Sequence, residues 1–435
     1  MSFDVKPAKR PVNSRFMSGP CAKRPGYSLA ALDTSLLGRS RRAAEPTARR
    51  LEIIERSARL LGMPSGWRLA IVAGSDMGAM EAAMWNLLGP RPVDVLDFER
   101  FSHYWAQDVI DHLAIPNSRV LAAEPGALPD LDLIDWTRDV VFVWNGTTAG
   151  TCVPQEDWIP ADREGLTICD ATSAAFAVNL PWDRLDVVTW SWQKVLGGEG
   201  AHGMLALSPR SIERLETHQP GWPVPKLLRL TEHGKLIEGL FRGEFVNTPS
   251  QLCIEDALDA LIWAEQIGGL PAMIRRTEVN YAALANWVAH TPWVGYLAAD
   301  DAVRSHVSVC LVLVAPWYQA LGAAEQYAAA RRLADLLAVE DVAYDIDANP
   351  SAPPGLRIWC GATVEESDIQ ALLPWLDWAH GVVEREYSGD AGADATESHG
   401  ANGLADDIQA GRLRSGSLCH PDGHAGSDIV LLQGG

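Results

Sequence analysis

The stretch LTICDATSAAFAVNLPWDRLDVVTWSWQKVLGG, residues 166–198, decides the fold. Its two apolar runs, LTICD and LDVVTWSW, are rich in β-branched and aromatic residues and too short for helices, so each reads as a buried strand. Between them ATSAAFAVNLPWDR leaves room for a crossover, which makes the strands neighbours in one sheet with their carboxyl ends at the same edge. The pattern continues outward. WRLAIVAGS (67–75) reads as a strand and GAMEAAMWNLLG (78–89) as a helix; VDVLDF (93–98) is a strand, YWAQDVIDHLA (104–114) a helix and DVVFVWNG (139–146) a further strand. Such alternation specifies an α/β fold whose mainly parallel sheet is covered on both faces.

Further along, QLCIEDALDALIWAEQIGG (251–269) is an amphipathic helix stopped by Gly-Gly. Residues 270–387 then read as a smaller C-terminal α/β unit, with helices over 271–290, 322–338 and 365–380 and strands over 307–314 and 356–360. The expected organisation is an N-terminal arm, loose and polar, over 1–15, a large domain over 16–269, a small domain over 270–387 and a disordered tail over 388–435. The tail is rich in Gly, Ala, Ser, Asp and His, and only IVLLQ (429–433) could dock.

The 435 residues carry a net charge of -20, which argues against nucleic acid as the main partner. Seven cysteines, at 21, 152, 169, 253, 310, 360 and 419, form no CxxC pair and match no zinc spacing, so no metal is expected. Buried free thiols fit a reducing cytoplasm. The N-terminus lacks a signal-peptide core, and no apolar run reaches the roughly 18 residues of a membrane helix.

Chemistry concentrates where strands end. Lys194 is one of six lysines, and it alone follows an apolar strand. Desolvation there favours a neutral amine, a nucleophile for an aldehyde; a lysine reaching out to solvent is the plainer alternative. Asp170 ends LTICD, 24 residues earlier. A buried carboxylate wants a cationic partner, and the protonated pyridine nitrogen of pyridoxal phosphate (PLP) would be one; a helix cap for ATSAAFA is the alternative. In the Gly-rich turn AGSDMGAME (73–81), the amides of Gly74 and Ser75 suit a phosphate, unless Asp76 merely caps the helix. Thr147 or Thr148 of WNGTTAG could reach a ring oxygen, and Trp105 could stack on a ring or simply fill the core. Arg39, Arg41 and Arg42 in LGRSRRAAEP, and Arg357 in PPGLRIWCGA, could bind carboxylate or phosphate, or be surface and ion-paired arginines.

From about Arg15 to Tyr387 the chain resembles the phosphoserine aminotransferase family, in class V of fold-type I PLP-dependent transferases, and most of all its archaeal and alphaproteobacterial branch. The resemblance is carried in order by MSGPCAKRPG (17–26), GSDMGAME (74–81), WNGTTAG (144–150), CDATSAAFA (169–177), SWQKVLGGEGAHGML (191–205), KLIEGLF (235–241), NTPSQLC (247–253) and GLRIWCGATVE (355–365). It implies that Lys194 carries PLP as a Schiff base and shuttles the proton, that Asp170 pairs with the ring nitrogen, that Trp105 stacks on the ring and that Thr147 meets its hydroxyl. It places Gly74, Ser75, Ser173 and Gln193 at the cofactor phosphate. Asn247 and Thr248 would reach that phosphate from the other subunit of a homodimer, and Arg357 would take the substrate α-carboxylate. The implied reaction is ping-pong transfer of an amino group from glutamate to 3-phosphohydroxypyruvate, giving O-phospho-L-serine for serine biosynthesis. One position departs: the family's substrate-phosphate loop usually reads Ser-His-Arg, and here it reads Ser40-Arg41-Arg42. That change keeps the pocket cationic and alters its shape, so a class V aminotransferase of a specialised pathway, acting on another acidic amino acid or oxo acid, is the second reading. A PLP-binding protein without turnover is the third.

Overall fold

In the computed structural model, which describes residues 5–155 and 158–388, the stretch 166–198 lies at the centre of a seven-stranded sheet. Its two runs are β7 (Thr167–Asp170) and β8 (Val187–Ser191), paired in parallel. On one side follow β4 (Asp139–Val143), β2 (Val93–Asp97) and the edge strand β3 (Arg119–Ala122), all parallel. On the other side β9 (His202–Leu207) runs antiparallel between β8 and β1 (Arg68–Ala73). β4 and β8 are buried at every position, which is why they read as unbroken apolar runs; the edge strand β3 is mostly exposed. Both β1 and β8 oppose β9, so β1, β8 and β7 point the same way and end at one edge.

The expected α/β fold is present, with several local differences. α1 (Ala44–Leu60) packs along α5 (Gln251–Gln266), and α2 (Ser75–Leu87) lies against β9. The helix expected over 104–114 starts earlier, as α3 (Arg100–Gln107), because Glu99 caps it by accepting from the amides of Phe101 and Ser102; a π-turn over Asp108–His112 follows. The crossover 171–180 holds only turns, not the helix that Asp170 would have capped. β9 escaped the sequence reading because HGML continues a Gly-rich run. α4 (Pro209–Thr217) and two short hairpins, β5 (Asn145–Gly146) with β6 (Thr151–Cys152) and β10 (Thr231–Glu232) with β11 (Lys235–Leu236), fill the connections.

C-terminal to α5 come α6 (Leu270–His290) and a three-stranded antiparallel sheet, β12 (Val294–Tyr296), β13 (Ser308–Leu313) and β14 (Leu356–Trp359). The helices α7 (Pro316–Gln319), α8 (Ala323–Val339) and α9 (Glu366–Ser388) accompany it. Residues 5–387 pack as one unit.

The N-terminal arm, expected to be loose, is pinned. Lys6 and Arg10 pair with Glu340, the Val12 amide donates to Asp368 and the Tyr344 amide donates to the Ser14 carbonyl. The segment continues inward: the Trp359 amide donates to the Phe16 carbonyl, and the Cys21 amide donates to the Gln193 carbonyl. The expected tail, Ser388 apart, lies outside the described residues, as do IVLLQ and Cys419. Among the described residues no helix is long and apolar enough to cross a membrane.

Candidate active site

At the shared carboxyl edge of β1, β7 and β8 a cavity of 210 Å3 opens. Seven of the expected residues line it: Ser75, Trp105, Thr147, Asp170, Ser173, Gln193 and Lys194. Gly19, Pro20, Asp76, Met77, Phe101, Asn145 and Thr172 complete most of the wall, and the sequence reading had given none of them a role in the site. Gly19 was legible inside MSGPCAKRPG, and Asn145 inside WNGTTAG; Phe101 carried no signal of its own. A larger opening of 620 Å3 is lined by Glu99 and by Thr148, the alternative to Thr147, and by no other expected cofactor residue.

Lys194 is 9 % exposed, and its Nζ donates to the Ser18 carbonyl at 2.5 Å. Burial pushes its pKa below the usual lysine value, and the nearby Arg357 guanidinium adds to that effect. A side chain at residue 19 would place its Cβ 2.5 Å from the Lys194 Nζ, and the φ of +133° there also demands glycine. The lysine therefore does not reach out to solvent.

Asp170 is 3 % exposed. Its Oδ2 accepts from the Trp105 indole N–H at 3.2 Å, and its Oδ1 accepts from the Thr172 amide at 3.0 Å. No ion pair to it is found among the described residues, so the carboxylate is oriented yet lacks a cation. Trp105 is fully buried, so it serves the core and the carboxylate at once.

The phosphate turn differs in detail from expectation. Gly74 (φ +89°) and Ser75 (φ +54°) are both left-handed, a strain of about 1–3 kcal/mol at the serine. Their amides both donate to the Ala201 carbonyl, at 3.1 and 3.3 Å, and Gly74 does not line the cavity. The next two amides, of Asp76 and Met77, begin α2 with no intrahelical acceptor and are the ones left for an anion.

Arg357 is also buried, and its Nε has no partner. No salt bridge to it is found among the described residues; the ion-pair alternative is not realised. The Gln193 Oε1 and the Ser18 and Thr172 hydroxyls are likewise buried and unpartnered. An uncompensated carboxylate, free helix-start amides and orphaned polar atoms around a low-pKa lysine are what a PLP ring and phosphate would satisfy, so these residues fit that group.

Arg357 lies within electrostatic reach of Lys194 but is not among the residues lining this cavity, and the remaining expected residues do not join it either. Ser40, Arg42, Asn247 and Thr248 are exposed. Arg41 is partly buried, and its guanidinium donates to the carbonyls of Phe245 and Val246, which ties the 40–42 loop to the strand of chain before Asn247. Arg50 braces the same region, donating to the Gly243 and Arg41 carbonyls.

No family model matches the chain. A phosphoserine aminotransferase of Methanosarcina mazei is 49 % identical over 380 residues, covering 87 % of this chain and all of the relative. The crystal structure of a phosphoserine aminotransferase from Cytophaga hutchinsonii superposes with a TM-score of 0.69 at 18 % identity, over 84 % of this chain and 99 % of its own. A ureidoglycine–glyoxylate aminotransferase from Bacillus subtilis gives the same TM-score at 16 % identity, over 90 % and 96 %. The two structures show the shared fold.

Proposed function

The chain belongs to the phosphoserine aminotransferase family, and from that premise we propose that it moves the amino group of glutamate onto 3-phosphohydroxypyruvate, making O-phospho-L-serine in two half-reactions that share one site. The observation that carries the reading is the cavity in which a buried lysine, its pKa lowered by that burial, shares the wall with a buried carboxylate that has no cation.

PLP, when bound, supplies an electron sink for the charge left at the substrate Cα. The protein's own residues do the rest. Lys194 holds the cofactor and, as a neutral amine, takes and returns the proton at the substrate Cα. Asp170 keeps a positive ring nitrogen in place. The amides of Asp76 and Met77, with Ser75, Ser173 and Gln193, take the phosphate, while Thr147 is available to the ring hydroxyl. Arg357 binds and orients the α-carboxylate through its free N–H groups.

Ser40, Arg42, Asn247 and Thr248 complete the site of a partner subunit, so the working unit is a homodimer. Their exposure, and the tie that Arg41 makes between their two loops, support this. With Arg41 held on backbone carbonyls, Arg42 is the cation left for a substrate phosphate. The division into a large domain (16–269) and a small one (270–387), and residence in the cytoplasm, belong to the same reading.

The test is a pair of half-reaction spectra. Holoenzyme mixed with O-phospho-L-serine, and separately with glutamate, should lose its visible absorbance band and release the corresponding oxo acid. Silence toward phosphoserine, with turnover of another acidic amino acid, would instead establish the specialised aminotransferase that Arg41 suggests.

A further inference from the structure

Asp76 has no part in the chemistry so far beyond lending its amide. Its side chain is 6 % exposed and lines the cavity with Asp170. The Asp76 Oδ1 is sealed from solvent without a partner, and so are the hydroxyls of Thr172 and Thr189 beside it. These groups and Asp170 face one another within electrostatic reach, short of ideal bonding geometry. Two carboxylates in one dry site repel each other when both are ionised, which favours a proton on one of them. Asp170 already accepts from an indole N–H and an amide, both of which stabilise its charge. Asp76 lacks such a bond of good geometry among the described residues, although the Thr172 and Thr189 hydroxyls lie close enough to offset part of the rise in its pKa. Burial first, and the charge of Asp170 second, hold Asp76 well above the ordinary carboxylate range.

We propose that Asp76 is a positioning residue: a neutral carboxylic acid that donates a hydrogen bond to Asp170 and thereby keeps that carboxylate ionised and aimed into the cavity. The role rests on Asp170 being the partner of the ring nitrogen. The other titratable groups that interact with the pair are Cys169 of β7, whose thiol is raised by burial and then by both carboxyls, Lys194 in the same cavity, and Glu99, which feels the charge of Asp170. None of these offers Asp170 the proton that Asp76 can, since Cys169 acts on the pair only through charge and Glu99 is engaged with Thr148.

The test compares wild-type holoenzyme with Asp76→Asn and Asp76→Leu. Asparagine keeps a neutral donor, so the pH midpoint of the visible band should stay within about half a unit of wild type. Leucine removes the donor, and PLP should bind about 10- to 100-fold more weakly, as expected for losing a hydrogen bond to a charged group. An equal midpoint shift in both variants would show a charged Asp76 and overturn the proposal, as would unchanged PLP affinity in Asp76→Leu. Should the leucine variant fail to fold, a difference infrared spectrum of wild type against Asp76→Asn at neutral pH decides: a protonated-carboxyl band is expected, and its absence refutes the idea. Asp170→Asn checks the underlying reading separately. If that change left PLP binding intact, Asp170 would not serve the ring, whereas the infrared band reports on Asp76 either way.

Discussion

At the scale of single residues, the site depends on what burial does to ionisable groups. Burial lowers the pKa of Lys194 and so favours its neutral amine, and Lys194→Ala should abolish the visible band and lower turnover by more than about 1000-fold, read by absorbance and a coupled assay. Arg357→Leu should raise KM for amino donors by about 10- to 100-fold with a smaller change in kcat, since a buried guanidinium with a free Nε is lost. Glu99 gives a pH dependence. Burial raises its pKa to about 7, against the hydrogen bonds from Thr148 and the Ser102 and Phe101 amides that lower it. A carboxyl whose folded pKa is raised stabilises the fold below its unfolded value and loses that contribution as pH climbs through about 7. Wild-type Tm should therefore fall between about pH 5 and 8 more steeply than that of Glu99→Gln, measured by calorimetry. Lys194 and Asp170 were legible in the sequence because each is a charged residue closing an apolar run. Asp76 and the committed amide of Gly74 were not, because a proton between two carboxyls and a bond to Ala201 depend on distances that no sequence spacing conveys.

At the scale of elements, the strands were readable wherever they are covered on both faces, as β4, β7 and β8 are. The antiparallel β9 was hidden within a glycine-rich run, and yet it sets the geometry of the phosphate turn. Gly203 on β9 lets α2 approach: a Cβ there would lie 2.1 Å from the Ser75 carbonyl. Gly203→Ala should push the start of α2 outward, destabilise the protein by about 1–3 kcal/mol and weaken PLP binding. Thermal melts with and without the cofactor would show it, and a variant with wild-type melting and PLP affinity would contradict the close packing. α3 began four residues before its expected start because its cap is a glutamate, which accepts from the first amides as aspartate or serine more often does.

At the scale of the whole molecule, exposed residues were the hardest to judge, since Ser40, Arg42, Asn247 and Thr248 gain meaning only if another copy faces them. If they serve a partner's site, co-refolding Lys194→Ala with Asn247→Ala should recover about a quarter of wild-type activity, because half of randomly paired dimers carry one intact site. Recovery of nothing from two well-folded variants would place both residues in the same site. The N-terminal segment links distant parts within one copy. It bonds to Asp368 and Trp359 near Arg357, and six residues after Phe16 it has already passed Ser18, whose carbonyl holds Lys194, and Cys21, which is tied to Gln193. One continuous segment thus holds both the strand that carries Arg357 and the carbonyl that holds the amine. Shortening the first dozen residues is therefore expected to weaken PLP binding as well as lower the melting temperature, which melts with and without the cofactor would show.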